Sequence, residues 1–198
     1  MKLKIIRRMV FALIFFLIAV LSVSCIGSDE ETITDSRCSS GVDVKLSDLL
    51  IENEDLPSGW FLGKKGIGLE SYRSRDSAGS YYYSSGYKHK FPRLLDQMIY
   101  RHEELGEAES DYIYATDGDW KSNPPSDWDF QSTFADESGI FCRNSEGNYY
   151  CLWGARYGCI VMDMVGEAVP GYSTFEDMEN IVRLVDEKAG KLLNIEED

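Results

Sequence analysis

The apolar and polar positions of this chain fall into three regimes. Met9 to Leu21 is an apolar run, Ile26 to about Val44 is small, polar and acidic, and from Lys45 onward apolar residues recur between turn signals as they do in a folded domain. Within that last regime, Leu46 to Ile51 forms a short helical or extended start. Glu54 to Trp60 follows as a turn, with Pro57 fixing φ and Gly59 supplying freedom before a buried Trp60. Strands are predicted over Phe61 to Leu69, Arg93 to Glu104, Trp128 to Ala135, Gly139 to Arg143, Tyr149 to Trp153 and Tyr157 to Val165, with Asn144 to Asn148 as a hairpin turn. Gly106 to Ala115 reads as a short helix, because Glu107, Glu109 and Asp111 favour its positive N-terminal end. The chain closes on a longer helix that begins with Ser173 and Glu176 as a capping box. Phe175, Met178, Ile181, Val182, Val185, Ala189, Leu192 and Leu193 form its apolar stripe, which is expected to lie across the sheet. These elements predict an α+β fold: a twisted antiparallel sheet with the C-terminal amphipathic helix packed on one face.

The apolar run decides the compartment. Lys2, Lys4, Arg7 and Arg8 precede it and Ser22-Val23-Ser24-Cys25 ends it, the layout of a secretory leader. The run is shorter than the roughly twenty apolar residues that a permanent span needs, and acidic Asp29, Glu30 and Glu31 follow closely. Leu21-Ser22-Val23-Ser24-Cys25 also resembles a bacterial-type lipobox, which implies a Cys25 carrying diacylglycerol and palmitate at the mature N-terminus. It departs from that pattern in one place, since Ser22 stands where Leu is usual. Ordinary signal cleavage at the same bond, and an uncut anchor, are the alternatives. The expected organisation is a signal peptide over 1–24, a lipid attachment site and tether over 25–44, and a single extracytoplasmic domain over 45–198.

Composition agrees with export. Removing the leader leaves 174 residues, enough for one domain with a sizeable core. The leader holds four of the 20 basic residues and no acidic ones, so the mature chain carries 34 acidic against 16 basic residues, a formal charge of −18. Such a surface repels nucleic acid, which is excluded as a partner, and anionic lipid headgroups.

Two segments are candidates for contact. Between Ser71 and Lys90 the chain is dominated by Ser, Gly and Tyr, with Tyr81, Tyr82, Tyr83 and Tyr87 at its centre. Rigid, amphipathic tyrosines spaced by adaptable small residues give contact area at low entropy cost. The same run also fits a sheet hairpin with Tyr on the exposed face and its turn near Ser85-Gly86. The second segment is a loop with Pro124 and Pro125 flanked by Trp120 and Trp128.

The run Leu49-Leu50-Ile51 followed by Asp55-Leu56-Pro57-Ser58-Gly59-Trp60 resembles the opening of uncharacterised exported lipoproteins of bacteria and archaea, and of some extracytoplasmic sensor domains. The resemblance implies an α+β extracytoplasmic domain without catalytic residues to carry over.

The cysteines are read from geometry. With Glu146-Gly147 as the two central turn residues, Ser145 faces Asn148 and Cys142 falls directly opposite Cys151, at a site where side chains approach closely. A Cys142–Cys151 disulfide leaves Cys38 for Cys159; a Cys151–Cys159 bond is the chief competitor. Four paired cysteines leave Cys25 as the odd one, in keeping with a lipid on it. Cys38 is expected to pin the tether to the domain.

Enzyme signatures are sparse. His102-Glu103-Glu104 lacks the second His of a zinc-protease helix, and His89 is the one other histidine. Ser85-Gly86-Tyr87-Lys88 fits S-x-x-K without its companion motifs. Asp117-Gly118-Asp119 with Asp127 and Asp129 has the composition of a calcium loop, but Lys121 and Ser122 break the EF-hand pattern. The expected function is therefore a membrane-anchored, non-catalytic binding or sensing lipoprotein facing outside the cytoplasm, with no catalytic residue, cofactor or metal. Its partner is an unknown protein or small ligand; the alternative is a structural or assembly factor of an envelope complex.

Overall fold

Six strands alternate their side chains between two faces, and helices that cover both faces of the central strands explain why those strands are so rich in apolar residues. The structure is a computed structural model that describes residues 38, 43–67, 76–85, 94–117, 128, 130–145, 148–169 and 171–195. After a 3-10 turn at Leu46–Leu49 come β1 (Trp60–Ile67), β2 (Asp76–Ser84), β3 (Leu95–Arg101), α1 (Leu105–Thr116), β4 (Glu137–Ser145), β5 (Asn148–Tyr157), β6 (Ile160–Ala168) and α2 (Phe175–Leu193). The spatial order is β1-β2-β3-β6-β5-β4, with all neighbours antiparallel. The fold is the predicted α+β sheet with the C-terminal helix packed upon it.

Close approaches at two glycines assign the faces. A side chain at Gly166 would strike Met178 of α2 at 2.2 Å, whereas one at Gly154 would meet Thr116 and Tyr112 of α1 at 3.1 and 3.5 Å. Register carries these assignments across the sheet. Cys151, Trp153, Ala155, Met162, Met164, Gln97, Ile99, Ala78 and Tyr82 face α2, and Gly154, Arg156, Val161, Asp163, Met98 and Gly79 face α1. The main core lies on the α2 side, built from Trp153, Met162, Met164, Met178, Ile181, Val182 and Val185. Leu49, Leu50 and Ile51 close one side of it, and Trp60 follows a Gly59 held at φ +90°, a conformation that glycine adopts without strain.

Two local expectations are corrected. Among the described residues of Trp128 to Ala135 there is no strand. Trp128 and Phe130 plug into the core, and the Ser132 hydroxyl accepts from the backbone N–H groups of Phe134 and Ala135 at 3.1 and 2.8 Å, a local pattern that competes with a ladder. The cap of α2 lies one residue later than Ser173. The Thr174 hydroxyl accepts from Asp177 N at 3.1 Å and the Asp177 carboxylate accepts from Thr174 N at 2.9 Å, while Ser173 is buried. Both Ser-x-x-Glu and Thr-x-x-Asp fit the capping pattern here, and burial of Ser173 selects the second.

The four domain cysteines pair as Cys142–Cys151 and Cys38–Cys159. Ser145 pairs with Asn148 and Cys142 faces Cys151 in the ladder, as counting from the turn predicts. Cys25 and Glu146-Gly147 lie outside the described residues.

Candidate functional site: an aromatic end of the sheet

The tyrosine-rich strand splits between the two faces. Tyr81 and Tyr83 turn toward the α1 side, and Tyr82 points into the core. Phe61 sits opposite Tyr83, and their rings stack with centroids 5.7 Å apart and planes 27° from parallel. Phe61 is 40% exposed, so this stack presents apolar surface to solvent. The ladder of β1 slips between Leu62 and Lys64, and the Tyr81 ring lies over Gly63, where a Cβ would sit 1.9 Å from it. Glycine at that bulge thus lets an aromatic ring fold flat onto the edge strand. On the same face across the sheet, the Arg143 guanidinium stands 5.3 Å from the Tyr150 ring centroid.

Two of the expected contact residues belong to the core instead. Tyr82 is fully buried, because a strand cannot place three consecutive residues on one face. Its hydroxyl is bound to Gln97 Oε1 at 2.6 Å and accepts from Ser80 at 2.6 Å. Gln97 in turn accepts from Ile51 N and donates to Leu49 O, at 3.1 and 3.2 Å, so the pair clamps the segment after the 3-10 turn. Burial drives the Tyr82 phenol well above the usual tyrosine range. Trp128 packs against Phe175, with centroids 5.8 Å apart, and is also buried. Tyr87, Trp120, His89, Asp119, Asp127 and Asp129 lie outside the described residues.

Three further polar clusters, which sequence reasoning missed, are buried or centred on a buried side chain. His102 Nε2 and Asp111 Oδ2 are 3.0 Å apart beneath α1. Arg156 reaches Glu137, Asp136 and the Gly158 carbonyl at 3.1, 3.0 and 3.2 Å, and Asp136 also accepts from Gly158 N at 2.7 Å. On the α2 side, Asp186 accepts from the hydroxyls of Tyr157 and Ser132, the latter at 2.5 Å. His102 and Ser132 therefore stand on opposite faces of the sheet, and no Ser–His–carboxylate relay is assembled among the described residues. Among those residues, no group of three His, Cys, Asp or Glu side chains is placed to hold a metal ion. Asp117 serves as the C-terminal cap of α1.

Asp186 offers a test of its burial. Removal from water raises its carboxyl above the ordinary 3.8, although the Ser132 and Tyr157 hydrogen bonds pull the other way. The folded state then binds the proton more tightly than the unfolded state. Its contribution to stability is complete below the unfolded value and is lost as pH rises through the raised folded one. Asp186→Asn keeps an acceptor for both hydroxyls and removes the titration. The urea midpoint of the variant relative to the unaltered protein is expected to climb as pH rises above 3.8, and a constant difference refutes the burial argument.

A groove of about 370 Å³ lies on the α2 side, between that helix and the segment after the 3-10 turn, lined by Ile51, Asp55, Leu184, Glu187, Lys188, Lys191 and Leu192. Lys188 Nζ spans it to Leu50 O at 2.8 Å and to Asp55 at 3.4 Å. The Phe61–Tyr83 stack is on the other face.

No protein-family model matches the chain, and no curated protein is significantly similar to it in sequence. Among solved structures it is similar to the crystal structure of a GTP-binding regulator from Thermotoga maritima, with 16% identity over 73% of this chain and 87% of that one, at a TM-score of 0.38. A likeness of that extent carries no argument about function.

Proposed function

We propose that the chain is a lipid-anchored protein facing outside the cytoplasm, whose domain is a non-catalytic binding or sensing module. The two disulfides support export, because such bonds form and persist in oxidising compartments. The basic–apolar–small layout ending at Cys25, and the resemblance of Leu49 to Trp60 to exported lipoproteins, support the anchor. The observation that carries the binding reading is the part-exposed Phe61–Tyr83 stack on an edge of the sheet. A flat aromatic pair suits a protein partner better than a small ligand, which is held in a concavity. That flatness also favours the second reading, an assembly factor of an envelope complex.

Capture from solubilised membranes tests both, with the full lipidated chain as bait. A partner held by the unaltered protein is expected to be lost from a bait carrying Phe61→Ser and Tyr83→Ser. Equal recovery by the two baits would show that binding lies elsewhere. Intact mass of the mature protein reports the anchor: a diacylated, palmitoylated Cys25 supports it, and an unmodified thiol removes it.

A further inference from the structure

Helix α1 has apolar side chains on both of its sides. It turns Ala108 and Asp111 inward, where Asp111 meets His102, and lays Tyr112 and Thr116 over Gly154. Gly106, Ser110, Ile113 and Tyr114 fall on the outer side at helical spacing and are exposed. Ile113 is 58% exposed and Tyr114 65%, the highest values among the described large apolar residues and well above that of Phe61. Two such side chains set side by side and rimmed by charge mark a contact surface.

The fold itself gives no use for three features of this side. Gly106 has neither a positive φ nor any neighbour within 4 Å of a Cβ placed on it, yet glycine weakens a helix. Asp117 sets a negative charge at the negative end of the helix dipole, with no basic residue in the last turn. Glu103, Glu104 and Glu107 are exposed, and neither they nor Asp117 has a basic partner among the described residues. Lys65, Arg101, Arg156, Arg183 and Lys188 all pair with other carboxylates, and no Lys or Arg occurs between His102 and Asp117.

We propose that the outer side of α1 is a docking surface for a protein segment in which lysine or arginine flanks an apolar side chain. The apolar anchor lies against Ile113 and Tyr114, and the lack of bulk at Gly106 and Ser110 lets the partner backbone approach. Its cations meet Glu103, Glu104 and Glu107 at one end of the helix and Asp117 at the other, and supply the charge that the helix lacks. A second copy of this chain would set the same acidic groups against one another, and an anionic bilayer is repelled likewise. This surface is separate from the Phe61–Tyr83 stack and stands whether or not that stack binds.

Fluorescence anisotropy of two labelled amphipathic peptides tests this on the full chain in phosphatidylcholine nanodiscs, with empty nanodiscs as the blank. One peptide combines leucine with lysine, and the other carries glutamate in place of every lysine. The lysine peptide is expected to bind saturably, and a chain with Ile113→Ser and Tyr114→Ser to bind it about tenfold more weakly although its charge is unchanged. Glu103→Gln with Glu104→Gln and Glu107→Gln is expected to weaken it several-fold and to flatten its salt dependence. The chain with Phe61→Ser and Tyr83→Ser is expected to bind it as the unaltered protein does. Absence of saturable binding, equal binding of the glutamate peptide, or no effect of either set of α1 substitutions overturns the proposal. Loss of binding with the Phe61 and Tyr83 substitutions assigns the peptide to the stack and overturns it too. Both α1 variants are expected to keep the unaltered melting temperature, and a marked drop for the Ile113 and Tyr114 pair would make those side chains part of the core and equally refute the docking surface.

Discussion

Replacing Tyr82 by Ser is expected to cost about 4 kcal/mol and lower the melting temperature by roughly 10 °C, whereas Tyr83→Ser is expected to stay within about 1 kcal/mol of the unaltered protein. The two residues are adjacent and identical in type, so composition and local propensity cannot separate them. What separates them is the face. Tyr82 fills space between β2 and the core and supplies the hydrogen bond that fixes Gln97, while Tyr83 loses one partly exposed stack with Phe61. Removing Tyr82 also takes from the buried Gln97 carbonyl oxygen one of its two donors, the other being Ile51 N, which adds to the cavity cost. Thermal unfolding of the two single variants measures the difference. Equal losses would contradict the burial pattern of β2 and remove Tyr83 as a separable contact residue.

The second large effect concerns the cysteines. The Cys38–Cys159 bond spans a sequence separation of 121 residues and Cys142–Cys151 one of 9. Loop-closure entropy gives these bonds about 5 and about 3 kcal/mol respectively. The double variant Cys38→Ala, Cys159→Ala is therefore expected to unfold at the lower urea midpoint, even though Cys38 sits at the margin of the domain. Cys142 and Cys151 are both fully buried, so their replacement by Ala adds a packing loss that narrows the gap. Equilibrium unfolding of both double variants decides it. If losing Cys38–Cys159 proves nearly neutral, the segment after Cys38 is held by the Val44–Arg101 contact instead.

The fold was legible because its elements carry strong local signals. Strand and hairpin signals placed β3, β4, β5 and β6 within a few residues, counting from one turn put Cys142 opposite Cys151, and the helical stripe from Phe175 to Leu193 identified the face that packs on the sheet. The candidate site was less legible, for physical reasons. Richness in Tyr suggested a contact surface, but a period of two forces the middle of Tyr81-Tyr82-Tyr83 to the opposite face from its neighbours. Trp128 and Phe130 look like a strand because they alternate, yet they anchor an irregular segment. The buried polar clusters did leave marks. Gln97 stands between Leu95 and Ile99 on one strand face, and Asp186 shares the apolar stripe with Val182, Ala189 and Gly190. A polar residue at a core position signals a buried hydrogen-bond network, and both residues proved to be the centre of one. The Phe61–Tyr83 stack had no such mark, since it depends on register across two strands.

The place of β6 bears on how the chain acquires its structure. This last strand lies between β3 and β5, so three earlier strands on one side and two on the other remain separate ribbons until it arrives. Its pairing with β3 joins Leu95 to Gly166, a contact between residues far apart in sequence, and non-local pairings of this kind slow folding. Until β6 is inserted, β3 and β5 each show an open hydrogen-bonding edge and an uncovered apolar face, the features by which unfinished sheets aggregate. The last strand is therefore the sheet's own quality control: a chain cut between β5 and β6 leaves two sticky half-sheets, and the sheet closes only once Ile160–Ala168 has been added.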